Sequence, residues 1–172
     1  MTLSLRRDRF ARPPSAFELQ LVPVVATMIA SMAPLLPIVA TEPMLPPFGL
    51  LVLLGWRLLR SDLWPAWAAL PLGLWDDLFS GQPIGTAMAG WTTILLVLDV
   101  IEQRLNWRSH LTNWRIAAIA ITAYLLYALV VARLIGGATS PVVVLPQLIV
   151  AVLTWPIVAR GCGALDRWRF AR

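Results

Sequence analysis

Two adjacent carboxylates, Asp76 and Asp77, stand inside the apolar run LPLGLWDDLFSGQPIG at residues 70–85, which closes on Gly-Gln-Pro-Ile-Gly. Neighbouring aspartates suggest three roles: a shared-proton acid pair, an ion pair, or contact with a partner. On a helix, consecutive side chains point about 100° apart, so the two cannot face one pocket and a shared proton is disfavoured. A carboxylate among Leu, Trp and Phe must reach water or have a task that outweighs its desolvation. Other candidate groups are sparse. His110 has no second histidine or cysteine near it in NWRSHLTNW, and Cys162 is the single cysteine, which excludes an intrachain disulfide and a cysteine-based zinc site. Gln147, Thr92, Thr93, Thr122, Tyr124 and Tyr127 lie within apolar stretches, where each is expected to bond a neighbouring helix. Asp99 and Glu102, close to Arg104, read as interfacial charges. There is no HExxH, GxSxG or phosphate-binding glycine loop, so no enzyme activity, metal or cofactor is expected.

The elements that must hold these residues follow from composition. The chain of 172 residues is 59% hydrophobic and 13% charged, with a mean hydropathy of +0.74, which places it in a membrane. Six hydrophobic stretches bounded by charges or by Pro and Gly are expected as spanning helices: Phe17 to Ala40, Leu45 to Leu59, Leu63 to Phe79, Ile84 to Gln103, Trp114 to Ile135 and Pro141 to Ala159. The first is too long for a signal peptide's apolar core and is read as an uncleaved span. The second and third are short. A re-entrant hairpin would bring Arg57, Arg60 and Asp62 near mid-membrane at about 2.5–3.5 kcal/mol each, so two crossings are preferred. The reading is therefore an all-α polytopic bundle, one integral membrane domain over residues 1–172, with helices kinked at Pro23, Pro34, Pro37, Pro71, Pro146 and Pro156.

All 14 basic residues are arginine, and the formal net charge is +5. They cluster between spans rather than along one basic face, which argues against nucleic acid as a partner. With the N-terminus inside, every arginine but Arg133 falls on the cytoplasmic side, so both termini are expected in the cytoplasm of a multi-pass inner-membrane protein. Trp56, Trp64, Trp107, Trp114 and Trp168 then fall at the inner interface and Trp75 near the outer one. Glu42, Asp76 and Asp77 go to the outer surface, where Gly81 can end the third helix and Pro83 can open the fourth. A negative charge at a helix C-terminus opposes the dipole, so the turn does not by itself explain the aspartates. Either one is solvated while the other bonds backbone or pairs with Arg133, or they contact a partner.

The stretch GLWDDLFSGQPIG resembles the signature of the bacterial rod shape-determining protein MreD family. Gly73, Asp77, Leu78, Phe79, Gly81, Ile84 and Gly85 stand at the family's positions, and Asp76 departs from it, since an apolar residue usually stands there. Size and the six spans are also similar over nearly the whole chain. The resemblance implies a non-catalytic inner-membrane subunit of the cell-elongation and peptidoglycan-synthesis machinery. Its implied partners are MreC and, through it or directly, MreB, RodA and a penicillin-binding transpeptidase. On that reading Asp77, Asp76, Gln82 and Glu42 form an outer partner-binding rim, Gly73, Gly81, Pro83 and Gly85 shape the turn, and Arg133 is an ion-pair candidate. The alternative is a substrate-binding membrane subunit of a vitamin-type transporter, a group that the MreD family resembles in fold.

Overall fold

The computed structural model describes residues 16–35, 45–61, 63–103, 109–136 and 141–170. Glu42, Asp62, Arg104 and Trp107, with the expectations attached to them, lie outside the described residues. Six α-helices follow in order, and the described residues contain no strand: α1 Ala16–Ser31, α2 Phe48–Leu59, α3 Ala69–Ser80, α4 Thr86–Glu102, α5 His110–Leu134 and α6 Pro141–Phe170. Short 3-10 turns at Ala33–Leu35 and Ala66–Ala68 follow α1 and precede α3.

The helix limits depart from the hydrophobic stretches where local backbone chemistry intervenes. α1 ends at Ser31 and gives way to the 3-10 turn carrying Pro34, a residue with no N–H to continue the ladder. α5 starts at His110 rather than Trp114, because Ser109 is extended and its hydroxyl accepts the Thr112 N–H at 3.2 Å, an N-cap. α6 runs past Ala159 to Phe170, where Asp166 joins Arg60 and Arg169. Pro23, Pro146 and Pro156 lie inside helices as expected.

α2 is the centre of the molecule. Leu, Val, Gly and Trp surround it on every side, and nine of its 12 residues are buried, the pattern of a helix enclosed by others. α1 and α6 pack against it, α3 pairs chiefly with α4, and α5 bridges α4 and α6. At ~1.5 Å per residue α2 is about 18 Å long, short of a ~30 Å hydrocarbon layer, and this brevity goes with its inner position. α5 and the stretch Val144–Arg169 of α6 are long and apolar enough to cross a membrane. They turn Ile119, Leu126, Val130, Leu145, Leu153 and Ile157 outward, apolar surface suited to lipid.

Two tryptophans expected at an interface belong to the core instead. Trp56 is fully buried with the Arg169 guanidinium 5.5 Å from its ring, and Trp64 is buried in the same cluster. Charge counting bears on the level of a residue along its helix, not on the face of the helix that carries it. Trp114 and Trp168 do remain exposed.

Candidate functional site: a carboxylate-capped hairpin

α3 and α4 form a hairpin whose two backbones nearly touch. A Cβ at Gly73 would lie 2.6 Å from Met88 Cα and 2.7 Å from Met88 N, so only glycine permits this approach. The chain leaves α3 through Gly81 at φ +67 and enters α4 through Gly85 at φ +99, both in the left-handed region that glycine tolerates. Because Gly85 is not helical, α4 begins at Thr86, two residues after the expected Ile84. Pro83 ends the turn, its carbonyl accepting from the Thr86 N–H at 3.1 Å and the Thr86 hydroxyl at 2.7 Å.

Asp77 closes this hairpin. Its Oδ2 accepts the backbone N–H of Gly85 at 2.8 Å and of Met88 at 3.2 Å, and its Oδ1 accepts the N–H of Ala87 at 2.7 Å. No side chain of α4 caps that helix, so the carboxylate from α3 does so. The first-turn N–H groups of a helix lack intrahelical partners and sit at the positive end of its dipole, which makes them a suitable lodging for a buried anion. The unfavourable position of Asp77 near the end of α3 is thus offset by its position at the start of α4.

Asp76 points elsewhere, as the 100° rule requires, into a contact of α1, α2 and α4. A Cβ at Gly49 would meet the Ser31 hydroxyl, Asp76 Oδ1 at 2.6 Å and the Trp91 ring at 2.8 Å. Tyr124 on α5 closes the neighbourhood by donating its hydroxyl to Gln82 Oε1 at 3.2 Å, which ties the turn to α5.

Burial corrects the expectation that one aspartate is solvated, because Asp76 is 6% and Asp77 3% exposed. Backbone bonding of the other is what Asp77 displays. Arg133, the expected ion-pair partner, is exposed near the end of α5, and no ion pair between it and either aspartate occurs among the described residues. The surface at the hairpin tip is instead Gly81, half-buried Gln82 and Ile84, the last 75% exposed.

The polar residues of the apolar stretches divide into two groups. Gln147 Nε2 donates to the Leu45 carbonyl at 2.8 Å, in the segment that leads into α2 rather than in a neighbouring helix. Thr92, Thr93 and Thr122 instead donate to the carbonyl four residues back in their own helices, since a threonine hydroxyl reaches that acceptor without any neighbour.

A second buried charge went unread in the sequence. Arg57 at the end of α2 is 2% exposed, and its guanidinium bonds Asp99, Glu102 at 2.8 Å and the Ser61 carbonyl. Asp99 and Glu102 are therefore ligands of an arginine from another helix. The available signal was their spacing: two acids three apart in the last turn of a helix repel each other and oppose its dipole, a combination that calls for a cation from outside.

A family model described as rod shape-determining protein MreD matches residues 15–160, which include α1 to α5, the hairpin and most of α6. The comparisons with curated proteins and with solved structures gave no match. The matched range contains every residue that builds the carboxylate-capped hairpin and the Arg57 cluster. The chain, a helical membrane protein with a part in rod-shape determination, belongs to the MreD family.

Proposed function

We propose that this protein is a non-catalytic inner-membrane subunit of the cell-elongation complex, crossing the membrane six times with both termini in the cytoplasm and positioning MreC beside the wall-synthesis proteins. The arginine distribution supports the orientation, because all but Arg133 fall to one side. In this orientation the α3–α4 hairpin tip faces outward. The observation that carries the reading is the anchoring of Asp77 on three N–H groups at the start of α4 and its N-cap, which holds a short exposed tip in one conformation. A preorganised tip binds a partner without an ordering cost. Asp77 then acts by holding the rim, and Gln82, Ile84 and Glu42 offer the contacts, with Asp76 fixing α3 against α1 and α2. MreB, RodA and the penicillin-binding transpeptidase join through MreC or through lipid-facing helix surfaces.

Ile84→Arg changes the tip without touching a buried group. It is expected to reduce MreC recovery in co-purification from membranes and to round the cells, at unchanged membrane abundance. Normal MreC recovery with Ile84→Arg and with Gln82→Arg would remove the tip from the interface. Orientation is checked separately in a Cys162→Ala background: a membrane-impermeant thiol reagent added outside should modify Gln82→Cys and spare His110→Cys. Recovery of a cytoplasmic ATPase instead of MreC would favour the transporter-subunit alternative.

A further inference from the structure

A groove of about 1110 Å³ opens between the end of α2, the start of α5 and the middle of α6, and none of the hairpin residues lines it. One stretch of its wall is apolar, built from Leu111, Trp114, Trp155 and Pro156, and the next is basic, built from Arg160 and Arg167 on α6 with Arg60 opposite. Arg60 is held by Asp166 at 3.2 Å. Among the described residues, Arg160 and Arg167 are exposed and make no ion pair, and no carboxylate lines the groove.

We propose that this groove is a binding site for an anionic phospholipid. Its phosphate lies between Arg160 and Arg167, and an acyl chain runs along Trp114, Trp155 and Pro156. The arginines come directly after the apolar stretch of α6, so the change from apolar to basic wall coincides with the level where a bilayer changes from chains to head groups. Basic pockets between membrane helices at that level suit anionic head groups. The apolar half distinguishes a lipid from a free anion, which would use the arginines alone. The volume exceeds the ~300–1,000 Å³ of an ordinary small-molecule pocket, as a long amphipathic occupant requires.

The test uses the full-length protein in detergent, with native mass spectrometry counting retained phosphatidylglycerol against phosphatidylcholine. The wild type is expected to retain phosphatidylglycerol selectively, and Arg160→Gln with Arg167→Gln to lower that selectivity by roughly fivefold for each arginine. Arg115→Gln, an exposed arginine outside the groove, should leave it intact. Gly163→Leu fills the groove while keeping both charges, since a Cβ there meets nothing nearer than the Arg167 guanidinium at 3.6 Å, and should also release the lipid. Equal retention of the two lipids by the wild type, or selectivity unchanged in the double variant, would overturn the proposal. Displacement of the lipid by inorganic phosphate alone would make this a free-anion site, and preference for polyglutamate over phosphatidylglycerol would make it a peptide site. Either result also overturns it.

Discussion

The two ends of α4 handle buried charge in opposite ways. At its N-terminus Asp77 has three backbone N–H donors and, among the described residues, no ion pair, while at its C-terminus Asp99 and Glu102 share Arg57. The helix dipole accounts for the contrast. At the start of α4 the backbone supplies the positive potential that an anion needs. At its end the backbone adds negative potential to two carboxylates, and only a side-chain cation can offset both. A backbone-held anion stays local, 8 to 11 residues along the chain, whereas the pairing of Arg57 with Asp99 spans 42. The first arrangement therefore shapes a hairpin and the second joins two distant parts of the bundle.

This contrast can be broken at its costlier end first. Asp99→Asn with Glu102→Gln leaves the Arg57 guanidinium buried without a counter-charge, and a loss of about 3–5 kcal/mol is expected from detergent-solubilised unfolding curves. Arg57→Met, which removes the buried charge and keeps an unbranched side chain, should cost less. If it proves the more damaging change, the two carboxylates at the negative end of α4, rather than the buried guanidinium, are the groups that depend on the pairing.

Asp77→Ala strips the N–H groups of Gly85, Ala87 and Met88 of their acceptor, with an expected cost of about 2–3 kcal/mol. Asp77→Asn sharpens the comparison. It keeps one accepting oxygen and removes the charge, so equal losses in the two variants would assign the stabilisation to the anion, and a smaller loss in Asn to hydrogen bonding. Gly81→Ala probes the turn alone, since nothing lies within 4 Å of the added Cβ, and the left-handed backbone should cost about 1–2 kcal/mol in the same assay. The smallest effect belongs to Gln82→Ala. It removes a neutral acceptor from Tyr124, worth about 0.5–1.5 kcal/mol, and should leave the helices in place by circular dichroism.

How far the sequence could be read depended on the range of each interaction. The Gly73-to-Gly85 hairpin was legible because its physics is local: left-handed glycines, a proline turn and an acid within a dozen residues of the N–H groups that it caps. The carboxylates' exposure was misjudged, because a turn near the end of a helix was equated with contact to water. The burial of Trp56 and Trp64 was not legible for the related reason that a residue's level along a helix does not fix the direction in which it faces.

Composition by itself determined an all-helical chain rich in apolar surface, since the hydrophobic stretches permit little else, and the motif around Asp77 pointed to the family. Only the tertiary structure decided that α2 is the enclosed helix, that Asp76 and Asp77 serve different neighbours, and that Arg57 answers Asp99 and Glu102. Those outcomes depend on which helix faces meet. Facing is a property of packing between segments distant in the chain, and six similar apolar helices do not encode it in any local stretch.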